Sequence, residues 1–380
     1  MILRADLNGG QITEFKQEAT RRYIVHLLKS AADNDHTMAQ FHLAECHLNG
    51  SKVDRSHTKA LNLYRKLASR GISQAQVALG QRYEAGEGVD RDFDTAIEWY
   101  TKAADQGSED GRHHIMFLRG WASFIGHSVE QSDIGALSYW QEVSTKSTNP
   151  VLKSIATHMV GWMHYLGRGT QQDELKGVKI IRENESHGFK LGEDQCLGSN
   201  WNSVSSDSHA AHKFFELCQL GSDKIWLCKH LMAVCLVNGF GTAQDQKRAA
   251  NAFQQLASEG HAASQFWLGG CYYNHWGVSQ DYRQAFEWYN KSAEQDNSYG
   301  QWMVGLCYSG GAGVLKDDNK AAEWFRRSAE QGNRCGQNAL GRCYKDGKGV
   351  AEDIETAAFW YCKAADQGHL YAVKALKELV

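Results

Sequence analysis

Five side chains in one stretch of the chain have the types and rough spacing of metal ligands: His209, His212, Cys218, Cys228 and His230. Two histidines three apart share a helix face and can share an ion, and zinc takes four nitrogen or sulfur ligands in a tetrahedron. The pattern is incomplete. No Cys-x-x-Cys anchors it, and Cys218 and Cys228 fit the apolar faces of neighbouring helices as small packing residues. Packing is therefore the preferred reading, and no metal or other cofactor is expected. His113 with His114, and His158 with His164, are weaker candidates of the same kind. The chain has no Gly-x-x-x-x-Gly-Lys-Ser/Thr to cradle phosphates, no Gly-x-Ser-x-Gly and no His-Glu-x-x-His. An enzyme would need a nucleophile beside a base, and no such pair stands at a recognisable spacing.

What positions these residues is a repeat. Gln265-Phe-Trp-Leu-Gly-Gly-Cys-Tyr272 returns as Gln301-Trp-Met-Val-Gly-Leu-Cys-Tyr308 and as Gln337-Asn-Ala-Leu-Gly-Arg-Cys-Tyr344. Each copy is followed by a glycine pause, at Gly277-Val278, Gly311-Ala-Gly313-Val314 and Gly347-Lys-Gly349-Val350. Each then runs into an aromatic pair, and Trp288, Trp324 and Trp360 fall 36 residues apart. Self-similarity at that period marks a stacked repeat architecture. Apolar and small residues at three- and four-residue spacing make each copy two helices. The glycines suit a C-terminal cap, where φ must be positive, and Asp281, Asp317 and Asp353 suit the N-terminus of the second helix. One hairpin cannot bury both of its faces, whereas a stack can.

The spaced set Leu-Gly-x-x-Tyr, Gly-x-Gly-Val, an acid, Trp-Tyr and Lys-Ala-Ala-x-x-Gly resembles the Sel-one-like repeat family, an α/α hairpin family related to tetratricopeptide repeats. Arg82-Tyr83, Gly86-Glu-Gly88-Val89, Ala96, Trp99-Tyr100, Lys102-Ala-Ala104 and Gly107 carry the likeness best. The resemblance implies an all-α fold, a right-handed α/α superhelical solenoid of about nine 36-residue helix-turn-helix repeats with half-repeat caps. It also implies a role in protein–protein interaction.

Along the chain, residues 1–35 read as an N-terminal capping helix and 36–107 as repeats one and two. Residues 108–221 hold degenerate repeats three to five, 222–368 repeats six to nine, and 369–380 a C-terminal capping helix, all in one solenoid. In the degenerate part, Ile180-Ile181 stand where the aromatic pair should be, and Leu197 to Asp207 reads as loop from its Ser, Asn and Gly content. Either the pattern has drifted there or the segment carries a contact.

A single proline, Pro150, fits long uninterrupted helical pattern. The net charge of −3 gives no electrostatic reason to expect nucleic acid. No apolar run approaches the roughly 20 residues that span a bilayer, and the opening Met-Ile-Leu-Arg-Ala-Asp lacks a signal-peptide layout. Cys235, Cys271, Cys307 and Cys343 recur at one repeat position. Equivalent sites on stacked hairpins lie about 8–10 Å apart, beyond disulfide reach, so these thiols are expected to be reduced and buried. A cytoplasmic location follows as the expectation.

At about 100° per residue, the residues opposite the buried stripe of the first-type helices are His230, Val234 and Val237, then Phe266 and Tyr273, Trp302 and Leu306, and Asn338 and Arg342. They are the expected lining of a concave groove for a protein or peptide ligand, with Phe266, Tyr273 and Trp302 as anchors. Packing between neighbouring first helices is the competing reading. The function expected is a non-enzymatic scaffold or adaptor in signalling or assembly. The alternatives are a secreted or cell-wall-associated hydrolase-like repeat protein, and a self-assembling structural solenoid. The sequence leaves the oligomeric state open.

Overall fold

Helices alternate with short turns through the whole of the computed structural model, which describes residues 23, 25–50, 53–197 and 205–379. Residues 25–33 are helical; the rest of the expected N-terminal cap lies outside the described residues. Four pairs follow: α1 (Thr37–Asn49) with α2 (His57–Ser69), α3 (Ser73–Ala85) with α4 (Phe93–Ala104), α5 (Glu109–Ile125) with α6 (Asp133–Lys146), and α7 (Pro150–Leu166) with α8 (Glu174–Glu183). In the fifth pair the first helix shrinks to the four-residue α9 (Glu193–Cys196) before α10 (His209–Gly221). Regular pairs resume with α11 (Trp226–Asn238) and α12 (Gln246–Ser258), α13 (Ala262–Asn274) and α14 (Tyr282–Glu294), α15 (Ser298–Gly310) and α16 (Asp318–Glu330), and α17 (Arg334–Asp346) and α18 (Ile354–Asp366). Helix α19 (Leu370–Leu379) ends the series. Among the described residues only isolated β-bridges break the helical pattern, at Ser186 with Phe189 and Ser206 with Phe240. The fold is all-α, a helical-repeat solenoid. Its pairs are consistent with nine repeats, the fifth being incomplete.

The chain divides into two compact units. One runs through Ala122 and includes Ser138–Lys153; the other comprises Ser123–Leu137 and Ser154 onward. The division passes through α5, α6 and α7 and not through a linker.

The repeated residues explain why each pair forms. The carboxylates of Asp92, Asp245, Asp317 and Asp353 each accept from a backbone N–H in the first turn of the second-type helix. Such a cap contributes about 1 kcal/mol. First-type helices end on a left-handed residue, Gly86, Gly311 or Gly347, with His275 taking that conformation in α13. The second glycine of the Gly-x-Gly answers a different demand. A Cβ on Gly313 would stand 1.9 Å from the carbonyl oxygen of Tyr282, and one on Gly349 equally close to that of Asp318. The turn of one hairpin thus rests directly on the backbone of the preceding second helix.

Where the first helix carries the motif glycine and the second the aromatic pair, the ring of the second aromatic lies on that glycine. A Cβ at Gly80 would be 2.7 Å from Tyr100, at Gly269 2.6 Å from Tyr289, and at Gly305 2.5 Å from Phe325. These rings are fully buried, and burying each is worth about 1.5–3 kcal/mol. The preceding tryptophan instead lies at the surface under a cation: Lys102 over Trp99 at 4.0 Å, Lys291 over Trp288 at 3.9 Å. Between pairs, where a glutamine opens the first-type motif, it forms a bridge to the next second-type helix. Gln301 Nε2 donates to the Ala293 carbonyl, and its Oε1 accepts from Gln331 at 2.7 Å. Gln76 with Gln106, Gln265 with Gln295 and Gln337 with Gln367 repeat the arrangement at 2.7–2.8 Å.

Candidate functional site

The irregular stretch after α8 returns across the first-type helices of the same unit. Asn184 caps α8 and donates from Nδ2 to the Ser154 carbonyl at 2.9 Å. The backbones of Ser186 and Phe189 then exchange hydrogen bonds, which turns the chain inward. Phe189 is fully buried, with its ring 5.1 Å from Phe240, 5.2 Å from His158 and 5.6 Å from Phe214. From there the chain crosses successive repeats. Asn238 of α11 donates from Nδ2 to the Gln195 carbonyl at 3.3 Å. Trp267 of α13 donates from Nε1 to the Cys196 carbonyl at 2.9 Å. Tyr299 of α15 donates its hydroxyl proton to Glu193 Oε1 at 2.7 Å.

Glu193 is the charged centre of this contact and only 1% exposed. Its Oε2 accepts from Arg182 Nε at 2.5 Å and lies 3.3 Å from Arg334 Nε. Arg334 also holds Asp194 through Nη2 at 2.5 Å. A carboxylate can be buried only with partners of this kind. Burial works against the charge on Arg334, but Glu193 and Asp194 hold its pKa above the usual value. Burial, and then Glu193, push the Tyr299 hydroxyl far up, so it stays a donor. Beside the clamp, Leu175, Arg182, Gly332, Trp360 and Lys363 line an open groove of about 820 Å³.

The expected groove residues divide in two. His230, Val234, Val237 and Phe266 are buried, at 3% exposure or less, so these four do not line an open groove. Helix α11 is covered on several sides. The His230 ring stands 5.6 Å from Trp162 and 5.5 Å from Phe253, and the Gln195–Asn238 contact closes its far end. Phe266 packs between Tyr289 and Tyr299 at 5.7 and 6.2 Å. Tyr273, Trp302, Leu306 and Asn338 are half-buried, and Arg342 is exposed.

The candidate metal ligands do not converge. His209 and His212 are exposed at the start of α10, and His212 pairs with Asp207. Cys218 lies nine residues beyond His209 and six beyond His212 on the same helix, about 13 and 9 Å by helical rise, and is buried, as is Cys228. His230 is enclosed with Ser264. Among the described residues no group of three His, Cys, Asp or Glu side chains is placed to hold a metal ion.

Two nucleophile–base pairs form that no spacing along the chain announces. Ser264 Oγ lies 2.8 Å from His230 Nδ1, and Cys196 Sγ lies 3.7 Å from His158 Nε2. All four side chains are 0% exposed. Burial holds both histidines at a pKa of about 3 and pushes the Cys196 thiol up, so every member is neutral. His158 Nε2 already accepts from Trp162 Nε1 at 3.1 Å. These are packed polar pairs, closed to any substrate. The thiols of Cys235, Cys271, Cys307 and Cys343 are buried and unpaired, and burial raises the pKa of each.

Glycine-seated aromatics, glutamine bridges and paired helices at a 36-residue period define an α/α helical-repeat protein. Within that class, the family model described as Sel1 repeat matches residues 37–72, 73–108, 154–180, 227–261, 262–297, 298–333 and 336–369. These matches span more than half of the sequence, and the chain belongs to the Sel1 repeat family. Proteins of this family are generally protein-interaction scaffolds. The unmatched residues 181–226 contain the returning segment.

Several solved structures are similar. A protective antigen of uropathogenic Escherichia coli with an SLR fold shares 26% identity over 93% of this chain and 73% of its own, at a TM-score of 0.36. A Sel1 repeat protein from Oxalobacter formigenes shares 22% over 95% and 93%, at 0.40. Cysteine rich protein B of Helicobacter pylori shares 21% over 35% of this chain and 98% of its own, at 0.30. No curated protein matches the chain. Among the described residues no helix is long and apolar enough to cross a membrane.

Proposed function

We propose that this chain is a non-enzymatic, cytoplasmic adaptor that captures a partner protein on the face of its first-type helices. One observation carries the reading. That face already holds a stretch of polypeptide by its backbone, through Trp267 Nε1 to the Cys196 carbonyl and Asn238 Nδ2 to the Gln195 carbonyl. Donors aimed at main-chain carbonyls give affinity for a strand of polypeptide whatever its side chains, and neighbouring side chains add selectivity. Leu306 falls about 20° and Trp302 about 60° from the Tyr299 line around α15, so both border the same face. The buried free thiols support a reducing compartment.

Affinity capture with the intact chain beside Trp302→Ala/Arg342→Glu tests the assignment. A bound partner should be lost at least tenfold with helicity unchanged. Equal capture by a folded double variant rejects this face. Phe266 is unsuitable for the test, because at 2% exposure its truncation removes core.

A further inference from the structure

The stretch that covers the first-type helices has the form of a bound ligand. It enters with a caged aromatic, Phe189, and ends with backbone carbonyls held by Asn238 and Trp267. Between them, two adjacent acids, Glu193 and Asp194, are read by side chains from three separate helices. Arg182 comes from α8, Tyr299 from α15 and Arg334 from α17. Arg334 reaches both carboxylates, and its guanidinium also donates to the Gln367 carbonyl at 3.4 Å.

We propose that Arg182, Tyr299 and Arg334 form a recognition site for an acidic peptide of a partner, carrying two adjacent carboxylates, and that the chain's own Glu193-Asp194 occupies it as a built-in competitor. This deepens the adaptor reading and rests on it. The chemistry favours such an occupant over an apolar one. A planar guanidinium binds carboxylates through directed, charge-assisted hydrogen bonds, and the Tyr299 hydroxyl adds a donor aimed at the first of them. Vacating the site would leave two half-buried cations, 23% and 11% exposed, facing the place where Glu193 sat, so arrival of other carboxylates favours release of the internal segment. The open groove of about 820 Å³ reaches Arg182, whereas the space left at Glu193, Tyr299 and Arg334 is about 10 Å³, so an incoming peptide has to displace the internal segment to reach them. Affinity for a partner is then reduced by the fraction of molecules in which the internal segment is seated.

The test uses the full chain and a fluorescent nine-residue peptide with the sequence of residues 189–197, Ser replacing Cys196. A variant with Glu193→Gln and Asp194→Asn should bind the peptide at least tenfold more tightly than the unaltered chain. Adding Arg334→Met should abolish the gain. Should the double variant lose its helical signal, hydrogen exchange on the unaltered chain decides. Saturating peptide should then deprotect the backbone amides of residues 191–197. Equal binding by both chains, or no deprotection, overturns the proposal. If a peptide with Gln-Asn at the acid positions binds as well as the acidic one, the acid-reading site falls while the adaptor face stands. If neither peptide binds, the acid-reading site falls, and the capture experiment with Trp302→Ala/Arg342→Glu decides the adaptor face separately.

Discussion

The indole of Trp267 donates to the carbonyl of Cys196, 71 residues earlier in the chain and 2.9 Å away. Trp267 occupies the slot filled by Met303 and Ala339 in the next two copies of the motif. A repeat position that elsewhere fills space here holds a backbone group of a different segment. Both ends of the bond are buried, so neither has water to fall back on.

Trp267→Phe should therefore keep most of the packing against Phe253, whose ring stacks on the indole at 5.4 Å, and lose the donor. An unsatisfied buried carbonyl costs about 1–3 kcal/mol. The expected outcome is a lowered chemical-denaturation midpoint, with extra amide exchange concentrated in residues 191–197. Exchange rising evenly over the chain would show that the bond does not anchor that segment.

Gly305→Ala should destabilise by about 1–3 kcal/mol, because the new methyl would stand 2.5 Å from Cε1 of Phe325. Phe325→Leu in the same chain should recover part of the loss by vacating the ring. Gly310→Ala is the control, as a Cβ there meets nothing within 4 Å. Thermal unfolding of the three variants checks it, and equal effects at Gly305 and Gly310 would defeat the ring-on-glycine account.

His158 and His230 predict acid sensitivity. Burial lowers both to about 3, against a usual value of 6.5. Their folded-state pKa is depressed, so below pH 6.5 the unfolded chain binds protons that the folded chain refuses. Stability is complete above 6.5 and falls as pH drops from 6.5 towards 3. At pH 4.5 each histidine costs about 2–3 kcal/mol at 1.36 kcal/mol per pH unit. Denaturant unfolding at pH 7 and 4.5 measures the loss. His158→Gln and His230→Gln should each flatten the dependence, and an unchanged slope in both would assign the acid loss to other groups.

The repeat itself was legible because its physics is local. Asp281, Asp317 and Asp353 cap helices through N–H groups two or three residues away, and Gly311 and Gly347 take the left-handed conformation that ends a helix. The buried, unpaired Cys235, Cys271, Cys307 and Cys343 followed from the spacing of stacked hairpins. The helical wheel expected an outward face on the first-type helices, where Arg342 is exposed and Trp302, Leu306, Tyr273 and Asn338 are half-buried. It failed at His230, Val234, Val237 and Phe266, all buried, because a helical wheel knows only its own helix, and rings from neighbouring helices pack on His230 and Phe266.

Sequence alone determined an all-helical repeat, since period, caps and glycines act over a few residues and recur too often to be chance. Tertiary structure alone decided what lies on the first-type helices. Arg182, Glu193, Tyr299 and Arg334 meet across 106 residues or more in their longer contacts, and no local pattern encodes a meeting of that range. A buried charge forces it: once Glu193 leaves water, only cations and donors brought in by distant helices can hold it there.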